Sequence, residues 1–452
     1  MTDISLSAAA KARADSSALY RAIWRWHFIA GLLVIPFVLL LATTGGIYLF
    51  KDEINDLLHR DLRIVPVTQS AQLPASAIVS AALTNYPGTL KSYLPAPAPG
   101  RSTEVKIENE EGITQSVYVD PTRGTVLGAL GDGGAAGSPE MQLVRQLHSL
   151  AYFGWLPQRF VELAAGWMVL LTASGIYLWW PRGKRAGTFT VKAARGRPWW
   201  RDIHAVTGIY TAGFILFLAM SGLPWSGYWG AKFYDLAYQV GLGMPDGYWF
   251  SYPTSTVPVG AVLDKTPWIM ERQPMPLSTA SDGTPAGLDQ VVATVEALGI
   301  APGYGLDVPS DPEGVFTASV YPDDVRRERV IHLDQYSGKV LFDMGVADLG
   351  ALGAAAELGV SLHTGQYFGV VNQIALLLAC LAMIVMCIAA VTMWWKRRPS
   401  GSLGTPRVGA WRVPTGLILL GAAAGLFFPL VGLSMLVMAA IEWVIARRQT
   451  VA

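Results

Sequence analysis

The chain has 452 residues, 52% of them hydrophobic and only 15% charged, with 16 tryptophans. A soluble domain carries nearer a quarter charged residues, so this composition belongs to an integral membrane protein. The net charge of +1 says nothing about partners, because the basic residues are clustered, and no nucleic-acid partner is expected.

Residues 1–26 read as a cytoplasmic N-terminus. The first apolar run, His27 to Phe50 (HFIAGLLVIPFVLLLATTGGIYLF), is long enough to cross a hydrocarbon core of about 30 Å. It exceeds the roughly 7–15 residues of a secretory signal's apolar region, which makes it an uncleaved anchor. Residues 51–147 follow as an extramembrane module with a hairpin pattern in VYVDPTRGTVLG, Val117 to Gly128. Residues 148–180 join a histidine segment to a second span, Phe160 to Trp180, and 181–203 form a basic loop. A third span covers 204–229, a second module 230–362 with the hairpin IHLDQYSGKVLFD, Ile331 to Asp343, and residues 363–395 repeat the histidine segment and carry a fourth span, Val370 to Trp395. After a loop at 396–412, the apolar stretch 413–446 is too long for one crossing, and Phe427-Phe428-Pro429 interrupts it. Proline removes an internal helix hydrogen bond, so a membrane hairpin of two short helices is expected, with 447–452 as a tail. Cys380 and Cys387 lie about 10 Å apart along one helix, too far to bridge.

Basic residues set the orientation. Lys11, Arg13, Arg21 and Arg25 precede the first span; Arg182, Lys184, Arg185, Lys192, Arg195, Arg197 and Arg201 separate the second from the third; Lys396, Arg397, Arg398, Arg407 and Arg412 follow the fourth. The positive-inside rule makes these segments cytoplasmic, and Arg447-Arg448 puts the C-terminus inside as well.

The chain reads as one unit written twice. His27, Gly31, Thr44 and Gly45 match His204, Gly208, Ser221 and Gly222 at a constant offset of 177. His148, Tyr152, Phe153 and Gly154 match His363, Tyr367, Phe368 and Gly369 at 215, and Asp120 and Gly124 match Asp334 and Gly338 at 214. Each unit runs helix, module, helix. The fold expected is a membrane α-helical bundle of four core spans in two repeats plus a C-terminal helical hairpin, with two α+β modules outside.

Four of the six histidines occupy these matched places. A single histidine beside a span is more often bonded to lipid or backbone, but four in two matched pairs reverse those odds. Neutral imidazole is a common metal ligand, and haem iron in membranes is often held by two. Axial ligands to one iron stand about 4 Å apart, each bond being about 2 Å. His27 and His204 sit at the cytoplasmic ends of their spans, His148 and His363 at the outer side, so pairing runs across the repeat and two haems result. Gly31 and Gly208 leave room for a macrocycle or for close helix packing. Arg25 and Arg201 serve as propionate anchors or as topology signals. His59 and His332 have no equivalents and read as surface residues. Dinucleotide, Walker and HExxH motifs are absent, and nothing recommends a Ser–His hydrolase.

From YRAIWRWHFIAGL through both hairpins and LHTGQYFG to GLFFPLVGLS, the sequence resembles the PepSY-associated transmembrane proteins of bacterial inner membranes, which include siderophore reductases. The resemblance implies two PepSY-like modules in the periplasm and haem-mediated reduction of ferric siderophores, releasing Fe(II). Together with the paired histidines it predicts two b-type haems, the first on His27 and His204 and the second on His148 and His363. Electrons would come from a quinol or a cytoplasmic reductase. Both termini are expected to be cytoplasmic and the spans to contact membrane lipid. The segment DGYWFSYP, Asp246 to Pro253, is either part of a substrate pocket or an interfacial anchor. The alternative function is a non-redox anchored protein that binds peptides or regulates an envelope protease, which leaves the paired histidines without a role. A transporter fits the duplication but lacks the intramembrane charges such pathways need.

Overall fold

The computed structural model describes residues 2–181, 189–243, 254–278, 284–398 and 414–451. Arg182, Lys184, Arg185, Arg407, Arg412 and the segment Asp246 to Pro253 lie outside the described residues, as do the side chains of Lys11, Arg13, Arg447 and Arg448. Two compact units emerge: Met1–Gly46 with Leu147–Gly227 and Leu376–Ala452, and Ile47–Gln146 with Tyr228–Ala375.

The first unit is helical because its sequence offers a hydrocarbon core nothing else. Four helices are long and apolar enough to cross a membrane: Ala18–Tyr48, Trp155–Trp179, Gly196–Trp225 and Val370–Trp395. A backbone in lipid must satisfy its own polar groups, and a helix does so within one segment. The rare hydroxyls follow the same rule. Thr172, Thr211 and Ser221 each donate to the carbonyl four residues earlier, at 2.7, 2.8 and 2.7 Å.

The fourth span has the expected ends, whereas the first three helices begin earlier than expected, at Ala18, Trp155 and Gly196, and end up to four residues sooner. The second span begins at Trp155, because Pro157 is tolerated in a first helical turn. The third stops at Trp225 rather than Trp229: Pro224 has no N–H to continue the ladder, and Leu223–Trp225 tightens into a 3-10 turn. At the C-terminal end, helices Thr415–Phe427 and Pro429–Val451 meet at Phe428. A Cβ on Gly425 would stand 2.8 Å from Gly432 Cα, so glycine permits this approach. The pair packs on the second span, where Trp167 Nε1 donates to Ser434 Oγ at 2.9 Å.

The second unit is built on strands β1 (Thr89–Leu94), β2 (Thr103–Glu108), β3 (Thr114–Val119), β4 (Val126–Gly131), β5 (Thr254–Pro258), β6 (Pro274–Pro276), β7 (Gly305–Asp307), β8 (Val315–Val320), β9 (Arg329–Asp334) and β10 (Val340–Gly345). β5 and β6 pair with each other; the other eight form one sheet in the order β10-β9-β8-β7-β1-β2-β3-β4. The two modules expected from the sequence therefore share a single sheet. They join where Ser92 faces Asp307 and Tyr93 faces Leu306. An offset of 214 carries Ser92 to Leu306 and Tyr93 to Asp307, so the junction has the form of a local two-fold.

Helices Ala75–Asn85 and Leu288–Ala297 cover one face of the sheet over Ile78, Val105 and Val117 on one half and Val291, Phe316 and Ile331 on the other. On the opposite face the register lines up His332, Thr317, Asp307, Ser92, Lys106 and Ser116 across six strands. Both hairpin turns are made alike. Asp120 Oδ1 accepts the Thr122 N–H at 2.8 Å, Asp334 Oδ1 accepts the Ser337 N–H at 2.7 Å, and Gly124 and Gly338 follow at φ 69 and 67, where a side chain is disfavoured.

Candidate functional site

The first and third spans bring His27 and His204 together inside the membrane unit. Their ring centres are 6.4 Å apart and the rings stand at 86° to each other. Two metal–nitrogen bonds of about 2 Å, plus about 1 Å from each nitrogen to its ring centre, put two axial imidazoles about 6 Å apart centre to centre. The observed separation matches that figure, with neither ring stacked on the other.

Each ring has one nitrogen held by an oxygen. His27 Nδ1 lies 2.8 Å from Ser174 Oγ, which also lies 2.7 Å from the Leu170 carbonyl. Where the hydroxyl gives its proton to that carbonyl, His27 carries its own on Nδ1 and leaves the Nε2 lone pair available. His204 Nδ1 lies 3.1 Å from the Met386 carbonyl, which can only accept, and the same tautomer follows. His148 repeats the arrangement: its Nδ1 is 3.0 Å from Thr44 Oγ1, whose proton goes to the Leu40 carbonyl at 2.6 Å. Burial holds the pKa of His148 below the usual imidazole value, which keeps the ring neutral and able to ligate. His204 thus presents Nε2 as a ligand, and all three histidines have Nδ1 against an oxygen, as ligating histidines do in metal sites.

Small residues keep space beside these rings. A Cβ on Gly45 would stand 3.2 Å from His148 Cε1, and one on Gly175 would stand 3.3 Å from His27 Cε1. A Cβ on Gly31 would meet nothing within 4 Å, whereas at Gly208 the Met386 side chain comes to 3.3 Å. Gly31 thus leaves room for a planar group, and Gly208 packs against a neighbouring span.

The remaining sequence candidates fall in different places. His363 is half-buried and ends the helix Ala351–His363, in the unit of the sheet, while His148 belongs to the membrane unit. Arg201 already holds a carboxylate, with Nη2 2.7 Å from Asp202 Oδ1, and its side chain is 66% exposed. His59 and His332 are not surface residues. His59 pairs with Glu140 at 3.0 Å and its side chain is only 13% exposed. His332 is fully buried, tied through Nδ1 to Thr317 Oγ1 at 2.8 Å and packed on Phe342, and burial pushes its pKa down to about 3.

Sequence reasoning overlooked two kinds of residue. Ser174 looks like an ordinary helix hydroxyl until its contact with His27 is seen. Glu162 is an acid buried within the second span, contrary to the expected lack of intramembrane charge. The signal was present in RFVELAAGW, a single carboxylate in an apolar run. Among the described residues no group of three or more His, Cys, Asp or Glu is placed to hold a metal by itself.

The family model described as the PepSY-associated TM region matches residues 24–397. No curated protein matches the chain.

Proposed function

The chain belongs to the family of the PepSY-associated TM region, and from that premise we propose that it is a haem-containing reductase of the bacterial inner membrane that reduces periplasmic ferric siderophores. The observation that carries the reading is the His27–His204 pair, with ring centres 6.4 Å apart and each Nδ1 anchored. His27 and His204 would hold one b-type haem, with Ser174 and the Met386 carbonyl fixing the rings and Gly31 leaving open space nearby; the haem would supply one-electron chemistry there.

His148, whose Nδ1 lies 3.0 Å from Thr44 Oγ1, would ligate the second. Bound there, the haems would supply one-electron transfer from a quinol or cytoplasmic reductase to ferric iron on the far side. The chain's own part is to fix the imidazoles, exclude water with apolar spans, and keep both termini cytoplasmic through its basic loops. Release of iron follows from its chemistry, because a hard, oxygen-rich chelator holds Fe(III) far more tightly than Fe(II).

The test is spectroscopic. Protein purified from cells with ample haem should show a b-type Soret band and two haems per chain by pyridine haemochrome. Once reduced, it should be reoxidised by a ferric siderophore with trappable Fe(II) appearing. Colourless protein under those conditions overturns the reading.

A further inference from the structure

The unit of the sheet holds a cleft of about 460 Å³ beside the start of β9 and the end of β10. That volume suits a small molecule, but the wall is charged where most small-molecule sites are apolar. Its ionic residues are Arg326, Arg327, Glu328, Arg329, Asp343 and Asp348. A ligand in such a cleft is recognised by hydrogen bonds and charge rather than by burial of hydrocarbon.

Local structure sorts the run Arg326-Arg327-Glu328-Arg329. Asp324 caps the turn Val325–Arg327, its carboxylate accepting the Arg326 N–H at 3.2 Å, and the turn leaves Arg326 and Arg327 exposed. The chain then extends into β9, where alternation puts Glu328 and Arg329 on opposite sides. Glu328 is 5% exposed, and burial, then the charge of Glu357, pushes its carboxyl up to about 9. Near neutrality it is uncharged and opposes no anion.

Two of the three guanidinium groups already grip a carboxylate of the chain. Arg329 gives Nε and Nη2 to the two oxygens of Asp343 at 2.7 and 2.6 Å, and Nη1 to the Leu298 carbonyl at 2.7 Å. Arg326 takes Asp324 in the same two-pronged way, at 2.8 and 3.1 Å. Arg327 carries an identical fork, yet its side chain makes no hydrogen bond with the described residues and acts on Asp324 through charge.

Donors are therefore in surplus. Both oxygens of Asp324 and of Asp343 are taken, and Asp348 Oδ2 accepts the Gly345 N–H at 2.9 Å. N–H groups remain on all three arginines, because a guanidinium has more of them than these bonds use. The arginines and the aspartates balance in formal charge, so the cleft lacks an acceptor in one place rather than a counter-ion at large.

We propose that the cleft binds a small organic acid, whose carboxylate completes the open fork of Arg327 while its other oxygens take the spare N–H groups of Arg326 and Arg329. A planar carboxylate matches a guanidinium side-on, as Asp343 and Asp324 already do here. A carboxylate chelator of iron belongs to this class. The site lies within one unit of the chain and involves no histidine, so it stands apart from the haem reading.

The experiment is equilibrium dialysis of the full chain in detergent against radiolabelled citrate, with inorganic phosphate as a second probe. Citrate should bind saturably, and Arg327→Gln should weaken it roughly tenfold, the usual effect of losing a hydrogen bond to a charged group. Arg327→Lys keeps the charge without the fork and should weaken binding too. Arg123→Gln, at an exposed position in the turn of the other hairpin, should leave binding unchanged. Size exclusion checks that each variant is folded. No saturation by millimolar citrate, or equal binding in Arg327→Gln, overturns the proposal. Full affinity in Arg327→Lys, or phosphate bound as tightly as citrate, overturns it as well, because a point charge would then suffice. Binding is read without haem, so colourless protein leaves this test intact and a failure here leaves the haem reading untouched.

Discussion

His27 and His204 in the membrane unit are only half-buried, whereas His332 in the sheet is fully buried, yet the membrane pair is the better candidate for chemistry. Each of the three has Nδ1 tied to an oxygen. What separates them is the neighbour: His27 and His204 have each other across 6.4 Å, and His332 has the Phe342 ring at 5.2 Å. A buried imidazole packed on an aromatic ring is a core residue. Two imidazoles set edge to face, each with Nδ1 held by an oxygen, gain a modest ring contact and keep the second nitrogen of each ring for another partner. Depth of burial and pairing therefore single out different histidines.

The comparison breaks most sharply at the ligands themselves. His27→Ala and His204→Ala should each remove one haem of two, and the double variant no more than either single, because residues sharing a site are non-additive. His332→Ala should leave the haem count unchanged. If it removes a haem, burial was the better guide after all. Next in size are the anchors: Ser174→Ala and Thr44→Val should each weaken haem retention by roughly 10–100-fold, the usual cost of losing an outer partner of a ligating histidine, as read by haem transfer to apomyoglobin. His332→Ala should cost roughly 2 kcal/mol or more of stability in the sheet unit, through the cavity it leaves, measured by denaturant unfolding of that unit.

Smaller effects sharpen the contrast through pH. Glu328 and Glu357 bind protons more tightly folded, at about 9 and about 7, than at the ordinary 4.5. Their stabilising contribution is full below about pH 4.5 and is lost as pH rises through 7 and 9. His332 has the opposite sign: its contribution is present above 6.5 and lost as pH falls toward about 3. Protection of the sheet amides, taken relative to the intrinsic exchange rate at each pH, should therefore fall toward alkaline pH, with that fall reduced in Glu328→Gln. An alkaline limb unchanged by that substitution would remove the acid pair from the explanation. The smallest effect belongs to Arg326→Ala on the exposed Arg326–Asp324 pair, whose arginine side chain is 79% exposed. Water screens such a pair, so the midpoint of denaturant unfolding should stay where it is in the parent protein.

The spans were legible because lipid permits one answer to a long apolar run, and the pairing of His27 with His204 was legible because an offset of 177 placed them at equal depth. The hairpins could be read for a local reason: an aspartate that turns its own backbone, followed by a glycine at positive φ. Nothing local announced that β1 would pair with β7, because strand pairing between segments more than 200 residues apart leaves no periodic trace. The burial of Glu357 was invisible for the same reason, since Trp268, whose N–H it accepts, lies 89 residues away in sequence. His332 was misread because a strand pattern does not say which polar residue its inner face will bury. Ser174 was passed over because a hydroxyl bonded to its own helix turn is common, and only the arrival of His27 distinguishes it.

The seam between β1 and β7 also governs how the chain is made. During synthesis the first half of the sheet emerges long before Gly305–Asp307 exists, and until then β1 is an open edge, able to recruit any passing strand. Its register shifts between Leu90 and Ser92, so Lys91 sits at an irregularity, and a bulge with a lysine is a known deterrent to intermolecular pairing. The partner strand is only three residues long and makes two residue pairs with it. A lysine at such an edge disfavours pairing with a foreign strand, and in the finished sheet the Lys91 carbonyl accepts the Val308 N–H at 2.8 Å beside the short join.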